Sequence, residues 1–94
     1  MSEDDPLVNW TLVFTRQASK DAKKLSRSGL QAKAETILAI LSRNPYQNPP
    51  RFEKLVGDLA GAYSRRINIQ HRIVYQIVEK ERVVKVLRMW THYE

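Results

Sequence analysis

HRIVYQIV, residues 71–78, is the stretch that decides the fold, because it is rich in the β-branched and aromatic residues that favour strands. Successive side chains of a strand point to opposite faces, so Ile73, Tyr75 and Ile77 share a purely apolar face. We expect that face to pack against helices. Arg72 then points to the opposite, partly open face, where a basic side chain is well placed to bind a nucleic-acid backbone.

Three more strands are predicted around this one. Residues 62–69 and 82–90 flank it and are similarly rich in Ile, Val, Tyr or Leu, and residues 79–81 supply a hairpin turn. The aromatic and β-branched residues in the segment 10–14 predict a first strand near the start of the chain. The sheet is therefore expected to have about four strands.

Two helices are predicted between the first strand and the others. Residues 16–27 and 30–43 each carry apolar side chains at helical spacing. Thr15 is suited to cap the first helix, Gly29 ends it, and Pro45 follows the end of the second. We predict an α+β fold in which an antiparallel sheet carries this N-terminal helix hairpin on one face.

The length of 94 residues fits a single domain, residues 1–94, with the polar and acidic residues 1–9 as a flexible lead-in. The chain has no cysteine, which excludes a disulfide framework, a thiolate nucleophile and a cysteine-based zinc site. The histidines and carboxylates lack the spacing of a metal site, so we expect neither a metal nor a cofactor. No apolar run approaches the roughly 20 residues that cross a bilayer, which favours a cytoplasmic protein.

The net charge of +6 favours a polyanionic partner. Three of the ten acidic residues lie within the first five positions, so the rest of the chain is more basic than the total suggests. A solvated basic surface without a ligand explains the same charge equally well. Charge by itself leaves both interpretations open.

The ionisable side chains are sufficient for RNA cleavage without a metal. RNA carries its own nucleophile, the 2′-hydroxyl, and needs a base, a cation near the phosphate and an acid for the leaving oxygen. Glutamate, arginine and histidine can fill these roles, but many proteins of this size contain all three. Each residue also has a non-catalytic interpretation. Glu53 can be a loop carboxylate, Arg72 can form an ion pair, and His92 can be a solvated side chain.

Several segments carry a family resemblance. They are Glu53-Lys54-Leu55, then Leu59-Ala60-Gly61-Ala62-Tyr63-Ser64-Arg65-Arg66-Ile67, then His71-Arg72-Ile73-Val74-Tyr75, and the ending Thr91-His92-Tyr93. The chain resembles the YoeB/Txe branch of the RelE-like toxins from about Trp10 to Tyr93. The resemblance implies a RelE/ParE-like fold and the toxin component of a type II toxin–antitoxin system.

The resemblance also implies an activity and a set of site residues. Members of the family are ribosome-dependent endoribonucleases that cut messenger RNA in the A site, and we expect the same of this chain. Glu53 matches the family's general base, His92 its general acid, and Arg72 the arginine that stabilises the scissile phosphate. Arg66 matches a second phosphate-contacting arginine, and Tyr93 matches the tyrosine that follows the catalytic histidine.

We add Arg65 and Lys54 as residues that bind RNA phosphates. Lys54 is included because Val56 stands where close relatives often carry a lysine. Relatives usually end before Glu94, whose negative charge is expected to favour the protonated form of His92.

The implied partners are messenger RNA and ribosomal RNA in the A site and a YefM-like acidic antitoxin. Operator DNA is expected only through the antitoxin complex, a homodimer is left open, and no membrane contact is expected. A different class of function also fits the basic surface: a non-catalytic module that binds RNA or ribosomes, or a corepressor within an antitoxin complex. A third is a basic scaffold for protein partners alone.

Overall fold

The computed structural model describes residues 10–90, and its elements follow the predicted order. The strands are β1 (Thr11–Phe14), β2 (Glu53–Lys54), β3 (Tyr63–Arg66), β4 (Arg72–Val78) and β5 (Val83–Arg88). Between β1 and β2 lie the helices α1 (Arg16–Ser28) and α2 (Gln31–Arg43). Neither helix combines the length and the hydropathy that a membrane span requires. The α+β class and the helix hairpin are confirmed, and the predicted lead-in of residues 1–9 lies outside the described part.

The sheet differs from the expected one in two respects. Within residues 10–90 it has five strands, in the order β1-β5-β4-β3-β2, and β1 runs parallel to β5. The additional strand, β2, has only two residues, which is too short to show alternation in the sequence. The parallel pair is possible because the helix hairpin and three strands separate β1 from β5, and parallel pairing needs a long connection. The prediction of a purely antiparallel sheet was therefore wrong.

The ends of α1 are held by the two residues that the sequence indicated. The Oγ1 atom of Thr15 accepts a hydrogen bond from the N–H of Ala18 at 3.0 Å, which caps the helix. The same hydroxyl donates to the carbonyl of Leu87 at 2.9 Å and ties the helix to β5. Gly29 follows the helix with a φ of 83°, a left-handed conformation open to glycine without steric cost, and its N–H bonds the carbonyl of Leu25.

The hydrophobic core lies between the helix hairpin and one face of the central strands. Leu25 and Leu41 of the helices are buried in one cluster with Ile73 and Tyr75 of β4. Ile77 packs at the margin of this cluster. The predicted apolar face of β4 therefore meets the helices, and the opposite face of β4 carries Arg72 and Gln76 together with the buried Val74.

A buried carboxylate joins α1 to the end of β5. Asp21 is fully buried, and its Oδ2 atom accepts a hydrogen bond from Arg88 Nε at 2.8 Å. The same oxygen accepts from the backbone N–H groups of Met89 at 2.9 Å and Trp90 at 3.2 Å. Its Oδ1 atom accepts from Gln17 Nε2 at 3.1 Å. Asp21 thus holds the chain at the point where it leaves the sheet.

These hydrogen bonds also govern the ionisation of Asp21. Burial by itself raises the pKa of Asp21, but the hydrogen bonds from Arg88 and from the Met89 N–H oppose it, so the pKa lies below its ordinary value. A carboxyl group whose pKa is lowered by folding stabilises the fold above its unfolded pKa of about 3.9. That contribution is lost as the pH falls through the lower, folded-state pKa.

Asp21→Asn is expected to lower the free energy of unfolding at pH 7 by about 2–4 kcal/mol, because an amide cannot replace the charge-assisted hydrogen bonds of the carboxylate. The difference from the unsubstituted chain should shrink as the pH falls below about 4. Urea denaturation at pH 7 and at pH 3 measures both effects. Asp58→Asn, at an exposed position, is the control, and an equal loss in the two variants would contradict the role of Asp21.

Candidate active site

An open cleft of about 310 Å³ lies where β2, β3 and β4 run side by side. Its lining residues are Pro50, Arg51, Glu53, Ser64, Arg66 and Arg72. The strand register brings them together, because Glu53 lies opposite Ser64 on β3. On the next pair of strands, Arg66 lies opposite Arg72. Strand alternation puts these four side chains on the face away from the helix hairpin.

Glu53 and Arg72 form an ion pair inside the cleft. Arg72 Nη1 donates to Glu53 Oε1 at 3.0 Å and lies 3.5 Å from Ser64 Oγ. The Arg72 side chain is 14% exposed and the Glu53 side chain 42%, so the sheet holds the guanidinium while the carboxylate faces solvent. Arg51 approaches the second carboxylate oxygen at 3.9 Å from a far more exposed position. The pair can accept a proton and bind an anion at adjacent points.

The two other predicted phosphate-binding residues near this pair, Arg66 and Lys54, lie in different places. Arg66 is exposed and lines the cleft. Lys54 is also exposed but does not line the cleft, and it follows Glu53 directly on β2, so alternation places it on the other face of that strand. The position of Lys54 therefore does not support its predicted contact with RNA phosphates.

Arg65 lies inside the protein rather than in the cleft, with only 1% of its surface exposed. Its Nε donates to the hydroxyl of Tyr75 at 2.9 Å and its Nη2 to the carbonyl of Pro45 at 2.9 Å. Its Nη1 donates to the carbonyl of Pro50, and its guanidinium lies 4.7 Å from the centroid of the Phe52 ring. Because all three guanidinium nitrogens serve internal acceptors, this position does not support the predicted role of Arg65 in binding RNA phosphates.

The buried guanidinium explains how the loop before β2 is held. Buried carbonyl groups need a hydrogen-bond donor, and proline residues in this loop offer no N–H of their own. Arg65 donates to two of the loop's carbonyls and so fixes the segment that leads to Glu53. Burial raises the pKa of the Tyr75 hydroxyl above its ordinary value, although the neighbouring Arg65 guanidinium lowers it. Arg65 therefore supports the cleft from beneath.

Arg65→Ala is expected to lower the free energy of unfolding by about 3–5 kcal/mol, because it leaves two loop carbonyls and a buried hydroxyl without their donor. Arg66→Ala is the matched substitution one residue along the same strand. It should change the free energy of unfolding by less than about 0.5 kcal/mol, because that side chain is exposed. Denaturant titration of both variants makes the comparison. A loss as small for Arg65→Ala as for Arg66→Ala would show that the guanidinium does not hold the loop.

The predicted catalytic residues His92 and Tyr93 lie in the segment 91–94, outside the described residues. The structure does show where that segment is attached. Trp90 stacks on His71, with ring centroids 3.8 Å apart and an interplanar angle of 20°. Because His71 directly precedes the cleft arginine of β4, Trp90 lies beside the strand end that carries this arginine.

Two residues that matter to this region had no role assigned from the sequence. Ser64 lines the cleft beside Arg72, and its spacing of two from Arg66 on a strand was a signal that the two share a face. Asp21 is surrounded by lysines in the sequence and looks like a surface charge. Its spacing from Ala18 and Leu25, which places all three on one helix face, was the available signal that it is buried.

The described residues offer little for a metal ion. Within residues 10–90 no group of three histidine, aspartate or glutamate side chains comes together as metal ligands would. The carboxylate among the cleft's described lining residues, Glu53, already bonds to Arg72. Among the described lining residues, the ionisable side chains are this carboxylate and the guanidinium groups of Arg51, Arg66 and Arg72.

Comparison with known proteins places the chain in a family. Residues 14–93 match the family described as the YoeB-like toxin of bacterial type II toxin–antitoxin systems. A toxin YoeB from Synechocystis is 35% identical over 74 residues, which cover 79% of this chain and 77% of that protein.

Solved structures from Staphylococcus aureus have the same fold. A YoeB–YefM complex contains a chain that is 31% identical, with a TM-score of 0.74 and coverage of 89% of this chain and 98% of that one. A YoeB dimer is also 31% identical, with a TM-score of 0.76 and coverage of 90% and 99%. The fold and the family match thus define a small toxin of a type II toxin–antitoxin system. The chain belongs to the YoeB-like toxin family.

Proposed function

We propose that this toxin is a metal-independent endoribonuclease that cuts messenger RNA in the A site of the ribosome. The observation that carries the proposal is the contact between Glu53 and Arg72 inside an open cleft that Arg66 also lines. Binding alone requires arginines and lysines but has no use for a carboxylate next to a phosphate. A carboxylate in contact with a phosphate-binding guanidinium instead suits acid–base chemistry on a phosphodiester.

The reaction begins at the 2′-hydroxyl of the RNA. Glu53 takes the proton of this hydroxyl, and the 2′-oxygen forms a bond to the adjacent phosphorus. Negative charge grows on the non-bridging oxygens of the phosphate. Arg72 and Arg66 offset that charge, and because the sheet already holds Arg72 in place, little reorganisation is needed.

The second half of the reaction needs an acid. The bond between phosphorus and the 5′-oxygen breaks, and His92 gives a proton to the departing oxygen. The products are a 2′,3′-cyclic phosphate and a 5′-hydroxyl. Tyr93, which follows His92 in the sequence, is a further catalytic candidate. The attachment of this segment at Trp90, next to the strand end that carries Arg72, supports these assignments.

The proposed partners follow from the same charge distribution. A YoeB chain is seen with YefM in the Staphylococcus aureus complex, and we propose that this toxin is likewise bound by an acidic antitoxin. An acidic, partly disordered segment of the antitoxin can fold across the cleft and pair with its arginines. Operator DNA would then be reached only through this complex, and a ribosomal target implies a cytoplasmic location.

A second function is favoured by the basic surface taken alone: a non-catalytic module that binds RNA or ribosomes, or a corepressor within the antitoxin complex. It gives no role to Glu53 as a base or to His92 as an acid. Growth arrest that survives the loss of His92 would favour it. A scaffold for proteins alone predicts no salt-sensitive association with ribosomes.

Glu53→Gln is expected to slow the cleavage of message on programmed ribosomes by at least about 100-fold, because the amide cannot accept the proton. Ribosome association should persist, since the cleft arginines remain. Glu81→Gln, in the exposed turn between β4 and β5, is the control and should leave the rate unchanged. Wild-type rates in the Glu53→Gln variant would remove Glu53 from the mechanism.

His92→Gln is expected to reduce cleavage by at least about 100-fold while antitoxin binding, measured by calorimetry, stays the same. Mapping the ends of the cut message tests the same chemistry from the product side. Attack by the substrate's own hydroxyl leaves a cyclic phosphate or a 3′-phosphate upstream and a 5′-hydroxyl downstream. A 5′-phosphate would instead show that water is the nucleophile.

A further inference from the structure

A second cavity of about 330 Å³ adjoins the candidate active site. Its lining residues include Lys33, Ile37 and Ile40 of α2, Ile67 after β3, and Pro50 with Arg66. Pro50 and Arg66 also line the first cleft. The two cavities are therefore neighbours that share one wall.

The second cavity combines an apolar interior with a basic rim. Ile37 and Ile67 are buried and Ile40 is half-buried, whereas Lys33 and Arg66 are exposed. The described lining residues include these two cations and no acid. Apolar surface beneath cationic side chains suits a group that has a flat apolar part and an attached anion.

We propose that this cavity is a subsite for the nucleotide next to the scissile phosphate. Its base rests mainly on the half-buried Ile40, beside the small exposed parts of Ile37 and Ile67, and its phosphate is bound by Lys33. This inference rests on the proposed function, because the first cleft must hold the scissile phosphate for the neighbour to fall in the second. Single-stranded RNA suits such a site, since its bases can be splayed from their stack.

Size and charge favour a single nucleotide over other occupants. The volume lies at the low end of the range for small-molecule sites, about 300–1,000 Å³, which admits one nucleoside. The two described residues that line both cavities, Pro50 and Arg66, include no acid, so one phosphate chain can pass from the first cavity to the second. An acidic antitoxin peptide is the alternative occupant, and its binding here is one outcome of the test.

Isoleucine methyl groups provide a direct probe. The full chain, labelled at the isoleucine methyls and at the arginine side-chain nitrogens, is titrated with a single-stranded tetranucleotide RNA whose 2′-hydroxyls are methylated to prevent cleavage. The tetranucleotide is expected to shift the signals of Ile37, Ile40 and Ile67. Ile73 in the core and Ile69 at an exposed position serve as internal controls and should not move.

A pair of lysine variants tests the phosphate contact. Lys33→Ala is expected to weaken tetranucleotide binding by about two- to fivefold, the effect of one exposed ionic contact. It should also reduce the slope of log affinity against log salt by about 0.7. Lys24→Ala, on the exposed surface of α1 and outside both cavities, is the matched control. On programmed ribosomes Lys33→Ala should raise KM and leave kcat unchanged.

The outcomes separate this proposal from the proposed function. If RNA shifts the arginine signals of the first cleft but none of the three isoleucines, the subsite is refuted and the nuclease proposal stands. If RNA moves neither group while Glu53→Gln still abolishes cleavage on ribosomes, the subsite is equally refuted. Isoleucine shifts produced by an acidic antitoxin peptide and not by RNA would assign the cavity to the antitoxin instead.

Discussion

The buried guanidinium of Arg65 is the interaction on which the candidate site depends. A charge inside a protein is tolerated only when hydrogen-bond partners surround it, and Arg65 finds them in Tyr75 and in the carbonyls of Pro45 and Pro50. These partners come from β4 and from both ends of the proline-rich loop. One side chain therefore joins the sheet to the segment that delivers Glu53.

Asp21 is the acidic counterpart at the junction between α1 and the end of β5. Arg65 donates hydrogen bonds to loop carbonyls. Asp21 instead accepts them from the N–H groups of Met89 and Trp90 and from the guanidinium of Arg88. The first fixes the chain before the proposed base, and the second fixes the chain before the segment with the proposed acid. Both charges belong to the interior, whereas Arg66 and Arg72 line the cleft.

The cleft shows how a short chain without cysteine can be equipped for chemistry. Its side chains project from adjacent strands, whose register sets their spacing more rigidly than a loop would. Arg72 is largely enclosed by the sheet, whereas Glu53 reaches solvent from the two-residue edge strand β2. The phosphate-binding group is thus pre-positioned, while the carboxylate remains accessible to a hydroxyl that the substrate supplies. RNA provides the nucleophile, so the protein needs none.

The sequence by itself determined the α+β class, the caps of the first helix and the apolar face of β4, because these depend on local spacing and on residues close along the chain. The family motif also singled out Glu53, Arg66 and Arg72. Only the tertiary structure decided that β1 pairs in parallel with β5, since alternation is the same in either direction. Only the tertiary structure showed that Arg65 is buried and Arg66 is exposed. Neighbouring residues on a strand face opposite sides, and which side is buried depends on a helix hairpin and a loop that are distant in the sequence.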